Sequence, residues 1–242
     1  MNTPSRPRAT KIICTIGPAT DTSDMLGQLI EAGANVFRLN MSHSKHDWVR
    51  EVVFRIRRKA AELEANVAIL FDLQGPSIRT GDLAEPYHLK KGDTVEIRLG
   101  TAKPELPFST TVNYDGLLQD VQAGHTMVVD NGGILMRIAE VRPDRLICDV
   151  LTEGVFGSRR HINLPGVALR LPALTEKDLA DLAVAVECET DYVAMSFVRD
   201  AAHIAQLREH IDNLGGKAQI VAKIEDQQAV RHIDDSILAA DV

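Results

Sequence analysis

Three apolar runs in this chain each end in polar side chains: VFRLNMSH (36–43), AILFDLQGPSIRTG (68–81) and QIVAKIED (219–226). Together they carry two guanidiniums (Arg38, Arg79), an ammonium (Lys223), two carboxylates (Asp72, Glu225) and the small oxygen ligands Asn40 and Ser42. Guanidinium forks match phosphate oxygens, and carboxylate and amide oxygens suit hard cations, so this set fits a phosphate and a metal ion held side by side. Alternate residues of a strand point the same way, which places Arg38, Asn40 and Ser42 on one face and Lys223 and Glu225 together on another. Apolar runs flanked by helical pattern read as parallel strands, and in such folds the functional groups sit where the strands end. The three clusters are therefore expected to form one site.

Each residue also has a plainer reading. An arginine usually ends in a surface salt bridge, although one inside VFRLN would be oddly buried for that. Asn, Ser and Asp commonly supply turn and capping chemistry, Arg79 suits a solvated charge at a hinge, and Lys223 with Glu225 suits a buried ion pair. A strand-terminal position favours chemistry for that last pair.

The elements that must position these groups follow a strand and helix rhythm. KIICTIG (11–17), VFRLNMS and VAILFDLQ read as strands separated by helices, the second helix running through Trp48, Val49, Val52, Val53, Ile56, Ala60 and Leu63 at helical spacing. Pro18, Thr20, Asp21 and Ser23 supply turn and capping chemistry before the first helix, and Gly33 closes it. From 82 to about 162 the texture changes to short strands with turns at KKGD (90–93), QAGH (122–125), DNGG (130–133) and RPDR (142–145), which predicts an inserted all-β domain. The rhythm resumes with LTEKDLADLAVAVE (174–187), where Thr175 and Asp178 make a capping box. DYVAMSFV (191–198), a helix stopped by glycine, QIVAKIE (219–225) and a last helix AVRHIDDSILAA follow. That is five parallel strands with the first and fifth as bare edges. An α/β barrel needs eight, in roughly 250 residues, so the expectation is an open sheet or the front part of a longer protein.

At 242 residues and 45% hydrophobic the chain can bury a sizeable core, and a net charge of −7 argues against a nucleic-acid or membrane-surface partner. The three cysteines, Cys14, Cys148 and Cys188, lack CxxC spacing and read as reduced core residues of a cytoplasmic protein. No apolar run approaches the roughly 18 residues of a membrane span, and the start MNTPSRPRATK lacks the apolar core of a signal peptide. The first nine residues are expected to be a loose tail.

Read in order, TKIICTIGPAT (10–20), GANVFRLNMSHS (33–44), FDLQGPSIRTG (71–81), INLPG (162–166), LPALTEKDLADL (171–182), DYVAMSFVRD (191–200) and AKIEDQQAV (222–230) resemble pyruvate kinase. The resemblance implies a partial TIM-type (β/α) barrel in two parts, 1–81 and 163–242, with a β lid domain over 82–162. It implies phosphoryl transfer from phosphoenolpyruvate to ADP with Mg²⁺ or Mn²⁺, giving pyruvate and ATP, in a homo-oligomer that is a tetramer in complete relatives. It further implies that the family continues beyond the equivalents of Ala240 and Asp241 with a strand ending in ARGDLG, two more strands and a regulatory domain. The ARGDLG aspartate is the second Mg²⁺ carboxylate. A truncated or degenerate homologue, binding phosphate or nucleotide without turnover, is the alternative.

By this resemblance Arg38 binds the transferring phosphate, Arg79 the phosphates between donor and acceptor, Lys223 the migrating group, and Glu225 the Mg²⁺. Asn40, Ser42, Asp72 and the Leu73 carbonyl match the monovalent-cation site, and Pro18, His43 and Arg160 the nucleotide side. The chain departs from the family pattern in places. Potassium-dependent relatives often read D-T-K-G-P-E, whereas Leu73 and Gln74 resemble potassium-independent ones and Ser77 supplies neither the glutamate of the first group nor the lysine of the second, leaving a K⁺ requirement open. Arg160 stands where lysine is usual and Asn131 where aspartate is, and a planar fork does not replace a point charge neutrally. Ser196 falls near the site by resemblance and equally suits the end of a core strand.

Overall fold

The computed structural model describes residues 9–225 and 227–242; the expected tail, through residue 8, and Asp226 lie outside the described residues. The chain forms two compact units. One comprises the chain up to Gly75 with Ala173–Glu225 and Ala229–Val242; the other comprises Pro76–Pro172 with the short stretch between Glu225 and Ala229.

The first unit opens with β1 (Ile13–Ile16), α1 (Ser23–Glu31), β2 (Val36–Asn40), α2 (His46–Glu62) and β3 (Ala68–Asp72). Thr22 caps α1 by accepting the Met25 amide on its hydroxyl, and Gly33, at φ +95°, supplies the left-handed turn that ends it.

The inserted unit contains β4 (Tyr87–Leu89), β5 (Thr94–Arg98), β6 (Ser109–Thr111), α3 (Leu117–Asp120), β7 (Thr126–Val129), β8 (Ile134–Val141), β9 (Arg145–Val150), β10 (Gly154–Phe156) and β11 (Ile162–Asn163). Six of its strands form a sheet in the order β11-β7-β8-β9-β5-β6, and β10 pairs with β4. All four turn sequences fall between consecutive elements; in DNGG, Asp130 and Asn131 adopt φ of 55° and 53°, the left-handed geometry of a tight hairpin. Single bridges from Thr80 to Val112, beside β6, and from Arg79 to His161, beside β11, let the 78–81 segment join the two outer strands. The sheet thereby closes into a barrel around Val95, Ile97, Met127, Met136, Ile138, Leu146 and Cys148. Against it, Glu96 and Arg145 form a buried ion pair at 2.8 Å.

The first unit then resumes with α4 (Glu176–Glu187), β12 (Tyr192–Met195), α5 (Ala201–Asn213), β13 (Gln219–Ala222), α6 (Gln227–Arg231) and α7 (Ile233–Ala239). The single last helix expected over AVRHIDDSILAA divides at His232, whose φ of −108° and ψ of 25° leave the helix; Asp234 and Asp235 then lie in the first turn of α7, where carboxylates favour a helix start. The five strands pair in parallel in the order β1-β2-β3-β12-β13. The outer edge of β13 is not bare as expected: Val242 and Asp241 donate to the Ile220 carbonyl, and the Ala222 amide donates to Val242. Registers align Asn40 with Asp72, Asp72 with Ala194, and Ala194 with Val221. Phe37, Leu39, Met41, Ile69, Phe71, Val193, Met195 and Ile220 pack in one core with Leu26, Val52, Ile56, Leu182, Ile204 and Leu207 from the helices. Burying each such side chain contributes about 1.5–3 kcal/mol. The alternate residues Arg38, Asn40, Asp72 and Ala194 point the other way, and the chemistry-bearing side chains are among them.

Candidate functional site

At the C-terminal ends of β2, β3, β12 and β13 the side chains organise around Asp72, whose side chain is only 4% exposed. One carboxylate oxygen, Oδ2, accepts Arg38 Nε at 2.7 Å and pairs with Nη2 at 2.5 Å. The other, Oδ1, accepts Lys223 Nζ at 3.1 Å. A carboxylate this buried is tolerated only when paired, and here it is paired twice. Arg38 also donates from Nη1 to Thr15 Oγ1 at 2.8 Å, in register across β1 and β2. Lys223, whose amide extends the ladder to the Met195 carbonyl, further donates to Ser196 Oγ at 2.8 Å and lies 3.3 Å from Glu225 Oε1.

The backbone around this cluster is drawn tight. Ser196 Oγ donates to the Leu73 carbonyl at 2.7 Å, and Gly75, at φ +68°, brings the turn after β3 so close that a Cβ there would meet Phe197 at 2.9 Å. Phe197 itself sits at φ +57°, a costly conformation for a bulky residue, with its amide donating to Glu225 Oε2 at 2.9 Å. Asn40 Oδ1 accepts the Ser42 amide at 3.1 Å, so Asn40 shapes the turn leaving β2, as its plainer reading holds. A carbonyl or carboxamide oxygen keeps a second lone pair after one hydrogen bond, so the oxygens of Asn40 and Leu73 can still face a small cation.

This arrangement of β strands, inserted barrel and strand-end cations has a counterpart among known proteins. The family model described as pyruvate kinase, barrel domain, matches residues 7–242. The chain belongs to the pyruvate kinase family. Plastidial pyruvate kinase 2 of Arabidopsis thaliana is 37% identical over 241 residues, covering 98% of this chain and 41% of the relative. Pyruvate kinase isozyme G, chloroplastic, of Nicotiana tabacum is 35% identical over 97% of this chain and 42% of its own length. Pyruvate kinase of Staphylococcus aureus (strain MRSA252) is 34% identical over 97% of this chain and 40% of its own. The chain thus spans about two fifths of these pyruvate kinases.

The α/β unit of this pyruvate kinase family member therefore brings together Arg38, Asp72, Leu73, Lys223 and Glu225, with Asn40 in register beside Asp72. Pro18 lies in an exposed turn after β1, and His43, also exposed, follows the turn that its amide closes on Asn40. Arg79 and Arg160 belong to the β unit, on neighbouring segments. Arg79 donates to the Arg159 carbonyl at 3.1 Å, while Arg160 reaches Asp130 at 3.3 Å and buries an Nε that has no hydrogen-bond partner. Ser77 Oγ, in the same unit, is likewise buried and unpartnered. Among the described residues no group of three or more His, Cys, Asp or Glu side chains could hold a metal, and no helix is long and apolar enough to cross a membrane.

Two residues that the sequence reading did not place in the site belong to the cluster. Ser196 links Leu73 to Lys223, and its signal is a hydroxyl at the end of an apolar strand. Phe197 supplies a backbone donor to Glu225, which has no side-chain signature.

Proposed function

We propose that the strand-end cluster binds the phosphoryl group of phosphoenolpyruvate and that the protein moves it to ADP, giving pyruvate and ATP. What carries the reading is Asp72: it holds one guanidinium and one ammonium at neighbouring strand ends, a pair of cations gathered where a phosphate could take them over. Arg38 grips the phosphate through its planar fork. Lys223, aimed by Ser196, neutralises charge on the migrating group, which is the main demand phosphoryl transfer makes on a protein. The bond from the enol oxygen to phosphorus breaks as the bond from the terminal ADP oxygen forms, and the enolate left behind takes a proton at carbon to become pyruvate. Arg79, Arg160, Pro18 and His43 serve the nucleotide side.

Glu225 would hold Mg²⁺ or Mn²⁺, which supplies charge neutralisation on the phosphate oxygens when bound. A single carboxylate fits because Mg²⁺ keeps several waters and takes its other ligands from substrate. Asn40, Ser42, Asp72 and the Leu73 carbonyl would hold a monovalent cation such as K⁺; with both Asp72 oxygens already on cations, that ion is a weaker part of the proposal. The same reading carries a cytoplasmic, self-associating protein without nucleic-acid or membrane partners.

A second reading, ligand binding without turnover, is favoured by one observation: Glu225 has no partner carboxylate in a metal cluster among the described residues. A lactate-dehydrogenase-coupled assay with phosphoenolpyruvate and ADP, with and without K⁺, separates the two. Equal yields of pyruvate and ATP support the transferase. Phosphoenolpyruvate binding by calorimetry without product supports the second reading, and no binding at all overturns both.

A further inference from the structure

Helix α4 carries two aspartates, Asp178 and Asp181, that are fully buried. Helix capping alone does not explain them, because a cap works at the surface and burial of a carboxylate is costly unless it is fully bonded. Asp178 Oδ2 completes the cap, accepting the Thr175 amide at 2.9 Å and the Thr175 hydroxyl at 2.6 Å. Its other oxygen, Oδ1, accepts the amide of Gly75, 103 residues away, at 3.0 Å. Gly75 closes the turn whose Leu73 carbonyl receives Ser196, and Ser196 in turn receives Lys223.

A second arm leaves the same helix. Lys177 Nζ donates to the Met41 carbonyl at 2.8 Å and to Asp181 Oδ2 at 2.6 Å, while Asp181 Oδ1 meets His46 Nε2 at 2.7 Å. Met41 lies between Asn40 and Ser42, and its amide donates to the Asp72 carbonyl at 3.0 Å. One helix end thus grips the backbone leaving β2 and the backbone leaving β3. None of Lys177, Asp178 and Asp181 bonds to Arg38 or Lys223 in this arrangement, so any effect on ligand passes through the loops.

We propose that Lys177, Asp178 and Asp181 are positioning residues: the first turns of α4 clamp the loops after β2 and β3 and so set the placement of Asp72, Ser196 and Lys223 for an incoming phosphoryl group. The ligand part of this inference rests on the function proposed above; the clamp itself does not.

The test pairs Asp178→Ala with Thr175→Ala in the full chain, since the second weakens the cap but leaves the bond to Gly75. Amide hydrogen exchange reads the clamp directly. Losing a hydrogen bond to a charged acceptor is expected to speed exchange at Gly75 by about tenfold or more in Asp178→Ala, with Gly75 protection retained in Thr175→Ala. Phosphoenolpyruvate affinity by calorimetry is expected to fall in Asp178→Ala and to hold in Thr175→Ala. Equal Gly75 protection in the two variants, or Asp178→Ala that loses protection yet binds phosphoenolpyruvate as the parent does, overturns the proposal. Should Asp178→Ala fail to fold, Lys177→Gln, at a side chain 41% exposed, carries the test: exchange at Ser42 and His43 is expected to rise and affinity to drop, and no change in either refutes the clamp. A parent chain that does not bind phosphoenolpyruvate refutes the ligand part and the function above, while Gly75 exchange still decides the clamp.

Discussion

A single methyl group placed on Gly75 measures how tightly the turn after β3 is packed. At φ +68° an alanine pays the left-handed cost, about 1–2 kcal/mol. Its Cβ would also stand 2.9 Å from Phe197 Cδ2 and 3.0 Å from both the Cβ and the carbonyl oxygen of Ser196. Those neighbours cannot withdraw freely: Ser196 is bonded to Leu73 and Lys223, and the Phe197 amide to Glu225. Overpacking of this kind costs about 1–3 kcal/mol more, so Gly75→Ala is expected to destabilise the α/β unit by roughly 2–5 kcal/mol. With a urea m-value of about 2 kcal/mol/M, the midpoint falls by roughly 1–2.5 M. Trp48, the one tryptophan of the chain, is the natural reporter: it sits in α2, and its indole donates to Asp21 at 2.7 Å, so its fluorescence follows the α/β unit alone. Gly17→Ala, where a Cβ would meet nothing within 4 Å, serves as the control and is expected to leave the midpoint in place. A Gly75→Ala midpoint equal to that of the parent would refute the packing argument.

Lys223→Met, assayed by coupled turnover in an active enzyme containing this chain, is expected to lower kcat far more than it raises KM, because its charge is needed most as the phosphoryl group migrates; an unchanged kcat removes Lys223 from the mechanism. The β unit is expected to be acid-labile. Burial opposes ionisation of Asp120, yet the Tyr114 hydroxyl and Arg170 hold it below the usual carboxylate range; burial likewise opposes Glu96, which Ser109, the Glu105 and Leu106 amides and Arg145 hold down. Carboxylates with lowered values stabilise the fold above their ordinary pKa of about 4, and that contribution is lost as pH falls through their lower folded values. Circular dichroism of denaturant midpoints between pH 6 and 2 should show this loss, reduced in Asp120→Asn; a flat profile contradicts it. Burial pushes the Cys148 thiol up to about 12, so at pH 8 a disulfide reagent is expected to modify the half-buried Cys14 and Cys188 first and Cys148 only as the β unit unfolds; immediate reaction of all three contradicts that packing.

Much of this architecture is legible in the chain because strand and helix periods differ. The two-residue alternation of VFRLN separates Phe37 and Leu39, which enter the core, from Arg38 and Asn40, which do not. The capping box at Thr175 and Asp178 is legible for the same local reason. Long-range partners are not. Nothing near Asp178 announces that its second oxygen serves Gly75, although Asp178, Asp181, Leu182 and Ala185 recur at helical spacing and so share a buried face. Closure of the β barrel rests on single bridges at Arg79 and Thr80, too short to leave a period. The unbroken final helix misreads His232 because its neighbours are good helix formers, while the turn is set by backbone geometry.

The double pairing of Asp72 has a consequence for selectivity. Any anion arriving at Arg38 and Lys223 must evict an incumbent, and its affinity is the difference between two attractions rather than the strength of one. Small singly charged anions offer too little to win that exchange. A dianion that also recruits a metal through Glu225 offers more, so the resident carboxylate acts as a threshold that chloride fails and a phosphorylated ligand passes.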